Sequence, residues 1–444
     1  MAANDSILFE PLTIGKLTIP GRVVKAATSE TRASSDGFAT QATIDFYAPI
    51  ARGGTPLIIT GNIYVSPDGK STPMQMGIDD DAKIPALARV VDAVHAEGSV
   101  IFAQLSHSGR QVLPSYAGLT EAVSSSAVTD LSTGVRPRAL TVAEIHKVVE
   151  RFGDAAQRCR KAGFDGIEIH AGHGYLISQF LTPYTNRRTD GYGGSVENRV
   201  RLLREIHRAI RDRVGPDFPV IMKLNGADYL PLRAGLRTPE LVEIARIMEG
   251  DGIDGVEISV GHYESGFPVV RGTFGRCLRA MAEGSARYLP GFRRFFMVTF
   301  WPVVALFCNL IWRPAEGYNL RYAKHFKKAL SIPVLCVGGF LTRREMEAAI
   351  DQTFCDAVSI GRGFVADPFL YRHLREGSAG PRCVDCNACI GCIGTQPVDC
   401  YHPRVRAEKD AMLGAVVNPL AQISARNGIA NAGAMAEQRP PVHS

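Results

Sequence analysis

The sequence predicts an α/β protein built on a closed (β/α)8 TIM barrel, and three observations carry that expectation. Eight short apolar, β-branched runs alternate with amphipathic helical patterns almost from end to end. They spread over roughly 350 residues, which suits a barrel with additions. No glycine-rich dinucleotide fingerprint opens the chain, as an open doubly wound sheet would use.

The strand candidates, in order, are RVVKAAT (22–28), LIITGNI (57–63), SVIFAQL (99–105), GIEIHA (166–171), PVIMKLN (219–225), GVEISVG (255–261), PVLCVGG (333–339) and DAVSIGR (356–362). Their near-continuous apolar character indicates a parallel sheet covered on both faces. Apolar residues at steps of three and four mark helices over 143–163, 195–215 and 318–330. A faint internal echo pairs AGFDGIEI (162–169) with DGIDGVEI (251–258), each leading a helix into a strand. Barrel chemistry gathers at strand C-termini, which here carry His170, Lys223 and His262. The expected domain plan is a barrel over residues 1–378 and a cysteine-rich extension over 379–405. A loosely ordered Gly, Ala and Pro-rich tail follows over 406–444. Residues 263–318 form a long apolar insertion between the sixth strand and its helix.

Composition excludes some classes. With 45% hydrophobic and 21% charged residues the chain can bury a large core, and a net charge of +6 without a basic tract argues against a nucleic-acid partner. The start, MAANDSILFEPLTIG, has no basic segment followed by an apolar run, so a cytoplasmic location is expected. Five of ten cysteines (Cys383, Cys386, Cys389, Cys392, Cys400) fall in RCVDCNACIGCIGTQPVDC. Without a secretion signal, such spacing points to metal or cluster ligation rather than disulfides.

The stretch IEIHAGHGYL (167–176) sets two histidines three apart and a tyrosine just beyond. Zinc would need a third converging ligand, and no His-Glu-x-x-His pattern supplies one. Two other readings stay open: satisfied core histidines, or imidazole donors to an oxygen that turns negative in a reaction, with Tyr175 as proton donor.

The run HAGHGYLISQFLTPYTNRRTDGYGGSVENRVRLLREI resembles the signature of the old yellow enzyme family of FMN-dependent ene-reductases. The likeness extends through LFEPLTIGKLTIPGRVV, FAQLSHSGR, VIMKLNGADY, VLCVGGF and SIGRGFVADP, over residues 7 to 376. It implies a barrel with FMN at its C-terminal mouth, NAD(P)H as electron donor, and an α,β-unsaturated carbonyl compound as acceptor. His170 and His173 would bind the carbonyl oxygen and Tyr175 would deliver a proton. Lys223 would sit beside the flavin pyrimidine, the alternative being a salt-bridged lysine. Gln104 would meet the pyrimidine edge, which needs both a donor and an acceptor. Gly338, Gly339, Gly361 and Arg362, after the last two strands, would cradle the phosphate.

Several positions depart from the family pattern. Ser29 stands where a threonine or cysteine commonly tunes the flavin, and Asn62 replaces a small residue beside it. His262 and Tyr263 fall where a second proton relay or a substrate contact is expected. The cysteine run resembles the iron–sulfur segment of 2,4-dienoyl-CoA reductase and trimethylamine dehydrogenase. By that likeness Cys383, Cys386, Cys389 and Cys400 would hold a 4Fe-4S cluster, or zinc, with Cys392 as a further candidate. A dienoyl-reductase-like enzyme working with a redox partner, a homo-oligomer, and a non-catalytic flavin or cluster redox sensor are the alternatives to a simple ene-reductase.

The insertion contains FFMVTFWPVVALFCNLIW (295–312), eighteen residues without a charge, flanked by Arg293, Arg294 and Arg313. Its ends join one strand to one helix of the same barrel, so a single crossing of a bilayer is excluded, and Pro302 is expected to interrupt it. A peripheral membrane contact through 293–313, drawing a lipophilic enone or dienoyl substrate, competes with an apolar lid or dimer contact.

Overall fold

The computed structural model describes residues 5–112, 114–230, 235–265, 269–289 and 291–417. Eight parallel strands close into a barrel, each hydrogen-bonded to its neighbours in chain order. They are β1 (Val23–Lys25), β2 (Leu57–Tyr64), β3 (Val100–Ser106), β4 (Gly166–His170), β5 (Val220–Asn225), β6 (Gly255–Ser259), β7 (Val334–Val337) and β8 (Ala357–Ile360). Every strand lies within one of the eight expected runs, or exceeds it by a single residue.

Helices follow the strands and bury their apolar stripes on the barrel. Val142–Lys161 starts with a capping box, the Thr141 hydroxyl meeting the amide of Glu144 while the Glu144 carboxylate accepts from Thr141 N–H. Val196–Val214 is capped by Ser195 and ends at Gly215, whose φ of +77° suits glycine.

Inside the barrel, strand alternation sorts the side chains by height. Toward the N-terminal end, Val24, Leu57, Ile59, Phe102, Ile221, Leu335 and Ala357 form an apolar plug. An antiparallel hairpin, Leu12–Ile14 with Leu17–Ile19, closes that end. Two residues further along β3 and β5 the interior turns polar, with Gln104 after Phe102 and Lys223 after Ile221. Register sets Gln104 beside Glu168 and Lys223 beside Glu257. The polar end is the C-terminal mouth.

Two expectations need correction. The tail expected from 406 begins inside a helix, Pro403–Val417, which is docked by buried Val405 and by Lys409 Nζ donating to Val365 O at 3.1 Å. Residues 418–444 of that expected tail lie outside the described residues. The insertion is helical, with Gly275–Glu283 followed by Gly291–Ile311, and the second helix runs unbroken through Pro302. Proline removes one backbone donor, but Pro302 lies on the exposed face, where the freed carbonyl can be solvated.

Candidate active site

A cavity of about 590 Å³ opens at the C-terminal mouth. Of the sequence-derived candidates, Ser29, Asn62, Gln104, His170, His173, Tyr175, Lys223, Tyr263, Gly338, Gly339, Gly361 and Arg362 all line it. His262 does not, which corrects its expected place against substrate. It is fully buried beneath Gly174, where an added Cβ would come within 2.5 Å of its Nε2, and its Nδ1 accepts from Glu264 N–H at 3.3 Å.

The two imidazoles at and just beyond the end of β4 line the cavity but already have hydrogen-bond partners. His170 Nε2 lies 3.0 Å from His173 Nδ1, and His173 Nε2 lies 2.7 Å from Ser259 Oγ. His173 sits at φ +58°, a left-handed turn secured by its N–H donating to Asn225 Oδ1 at 3.1 Å. Burial, with the neighbouring histidine and Lys223 adding to it, holds His170 well below the ordinary imidazole range. Burial followed by the Lys223 charge lowers His173 to about 3. Both rings are therefore neutral at pH 7. Tyr175 packs its ring 4.5 Å from that of His170, and its hydroxyl lies 3.4 Å from the hydroxyl of Tyr263. Burial, then Tyr263, pushes its phenol well above the ordinary range, so its proton is retained.

Beneath these donors sits a charged layer that sequence reasoning only half found. Lys223 is ion-paired to Glu168, at 3.2 Å, and to Glu257, both carboxylates fully buried. Gln104 Nε2 donates to Glu168 Oε2 at 2.5 Å, leaving the amide oxygen of Gln104 for the cavity. Burial outweighs the lysine and lifts the Glu168 carboxyl to about 8. The lysine and its two carboxyl partners thus form one buried ion-pair network under the cavity. Glu168 and Glu257 were missed, although each sits at the same place in the internal echo, GIEI and GVEI. In both strands the glutamate lies two residues before the cavity-lining His170 or Ser259, hence on the same face.

The phosphate-like corner is built as the barrel position suggests, with one departure. Gly338 and Gly339 have φ of +152° and +71°, and a Cβ on Gly339 would strike Ala315 O at 2.4 Å. Ser359 adds an unpartnered buried hydroxyl on the same wall. Arg362, however, is engaged by the cysteine-rich segment. Its Nη1 donates to Arg271 O at 2.8 Å and Asn387 Oδ1 at 2.5 Å and pairs with Asp385 at 3.0 Å. Lys223 is thus salt-bridged, as the alternative reading had it, yet still lines the cavity; with the amide edge, the orphaned hydroxyl and the glycine corner it fits a flavin mononucleotide.

On the far side of Arg362, Cys383, Cys386, Cys389 and Cys400 line one small cavity of about 20 Å³. Cys392 does not line it. Among the described residues no three His, Cys, Asp or Glu side chains are already arranged to hold an ion. The four-thiol donor set nonetheless suits an iron–sulfur cluster or zinc.

Comparison with known proteins places these observations in context. The model of the NADH:flavin oxidoreductase / NADH oxidase family matches residues 7–263, and that of dihydrouridine synthase (Dus) matches residues 314–407. A Thermoanaerobacter brockii NADH oxidase is 34% identical over 417 residues, 93% of this chain and 56% of its own length. A Rhodococcus erythropolis 4,4'-dithiodibutanoate disulfide reductase is 32% identical over 394 residues, 87% of this chain and 93% of its own. Among solved structures, a 2-naphthoyl-CoA reductase complex superposes with TM-score 0.75 at 28% identity, covering 91% of this chain and 58% of that one. The old yellow enzyme homologue from Zymomonas mobilis gives 0.66 at 26% identity, covering 90% and 99%. The chain spans about half the length of the first two curated relatives it matches.

Proposed function

The chain belongs to the NADH:flavin oxidoreductase / NADH oxidase family, and from that premise we propose that it is an FMN-dependent, NAD(P)H-using reductase of activated C=C bonds. One observation carries the reading. Two neutral imidazoles, a protonated tyrosine and a buried lysine share a single cavity with a glycine corner suited to phosphate. Bound FMN supplies the chemistry of a hydride relay, from NAD(P)H to the β-carbon of an α,β-unsaturated carbonyl compound.

The chain's own residues do the rest. Gln104 and Lys223 would hold the pyrimidine edge, and the backbone at Gly338, Gly339 and Gly361 would receive the phosphate. Ser29 and Asn62, which line the same cavity, would contact the ring. His170 and His173 redirect their N–H groups from each other and from Ser259 onto the substrate oxygen, where charge develops. Tyr175 gives its hydroxyl proton to the α-carbon, and Tyr263, 3.4 Å away, relays a replacement. Tyr263 also walls the substrate.

A second reading is favoured by the four-thiol cavity. Arg362 lines both that cavity and the large one, so a 4Fe-4S cluster held by Cys383, Cys386, Cys389 and Cys400 would lie next to the flavin site. The protein would then work as a dienoyl-reductase-like enzyme fed by a redox partner.

His170→Ala separates binding from chemistry. We expect phenolic ligands to bind about tenfold or more weakly and reoxidation by an enone to slow, with FMN content and reduction by NAD(P)H retained. Unchanged phenol affinity would count against the assignment.

A further inference from the structure

The helix Gly291–Ile311 is apolar on both sides. One stripe, Met297, Trp301, Val304, Cys308 and Trp312, packs with Phe274, Cys277 and Leu278 at the neighbouring helix Gly275–Glu283. In water the opposite face should be polar. Instead it exposes Phe292, Phe295, Phe300, Val303, Phe307 and Ile311, from 41% for Phe300 to 77% for Phe292. A contiguous apolar face of this kind marks a contact surface.

The charges around it name the partner. Residues 291–313 contain Arg293, Arg294 and Arg313 and no aspartate or glutamate. Two copies pairing through this face would gather four exposed arginines, Arg294 and Arg313 of each, with no carboxylate of the segment to offset them. Anionic headgroups would offset them directly.

Geometry fixes the orientation. Arg293 Nη1 donates to Leu131 O and Ser132 O at 2.9 and 3.0 Å. At the other end Phe274 N–H donates to Asn309 Oδ1 at 2.8 Å, and Gly272 N–H to Trp312 O at 3.1 Å. The helix is thus held lengthwise against the protein. Standing across a bilayer would drag in Arg279 and Glu283, both well exposed on the helix beside it. Lying flat exposes only its outer face to lipid. Its inner side supplies Met297 to the wall of the large cavity, together with Met281 and Leu289 of the same insertion.

We propose that Gly291–Ile311 lies in the plane of an anionic lipid surface, outer face among the acyl chains and the exposed Arg294 and Arg313 at the headgroups. The large cavity then loads lipophilic substrate from the bilayer, a clause that rests on the reductase reading.

The FMN-loaded protein, sedimented with phosphatidylcholine vesicles and with vesicles containing phosphatidylglycerol, tests the lipid contact without turnover. It should pellet with the anionic vesicles, less with the neutral ones, and less again at high salt. Phe295→Ser, Phe300→Ser and Phe307→Ser combined should lower partitioning by about a hundredfold, with FMN content and thermal midpoint unchanged. Wild-type protein remaining in the supernatant with both vesicles would overturn the proposal. So would a dimer on size exclusion that the triple variant converts to monomer. FMN content and reduction by NAD(P)H, read on the same samples without lipid, keep a failure here apart from a failure of the flavin reading.

Discussion

His170 and His173 spend their hydrogen-bonding capacity on each other before a ligand arrives. In one proton arrangement open to them, His170 Nε2–H donates to His173 Nδ1 and His173 Nε2–H donates to Ser259 Oγ. A ligand oxygen must take the place of those acceptors, at a cost of about 1 kcal/mol per exchanged bond, which charge on the oxygen more than offsets. Because burial keeps both rings neutral, phenol affinity should show no inflection near pH 6.5, the ordinary imidazole value. Stability has its own sign. Both folded values are depressed, so their contribution is complete above pH 6.5 and drains as pH falls toward about 3, where His173 itself protonates. Thermal midpoints measured across that window should fall, and His173→Ala should flatten the slope; a flat wild-type profile would contradict the buried neutral pair. At this scale the sequence exposed the pocket's named donors because they form a contiguous motif. It hid Glu168 and Glu257, which are 89 residues apart and come together only where their strands flank β5 and its Lys223 in the closed barrel.

Elements decide which cysteines act together. Cys389 lies in the short helix Ala388–Gly391 and Cys392 at its C-cap, and Cys392 does not line the small cavity shared by the other four. Cys400→Ser should therefore strip bound iron and sulfide, or zinc, while Cys392→Ser should leave metal content within about twofold of wild type. Equal loss in both variants would place the ligands elsewhere. Spacing could not choose between Cys392 and Cys400, because the turn that sets their directions is a tertiary feature. The insertion shows the same limit from the other side. Its length, missing charges and flanking arginines were legible, yet its docking along Gly275–Glu283 depends on packing that no local pattern announces.

The whole molecule reads as a barrel with an apolar floor and a polar mouth, roofed by two additions. The eight strands were legible because each is buried on both faces, which leaves a continuous apolar signal. The roof was not, since its pieces come from distant segments. The cysteine-rich run ties to the β1 loop through Val398 N–H to Glu30 O at 2.9 Å and Thr31 Oγ1 to Gln396 O at 2.9 Å. Its hold on Arg362 then sets one wall of the large cavity. Everything proposed for this mouth depends on a flavin lying there. Anaerobic titration of the purified protein with FMN, followed by its visible spectrum, measures that most directly. The account predicts a yellow protein binding one FMN per chain, bleached by NAD(P)H and recoloured by an enone. A colourless protein that takes up no FMN would contradict it.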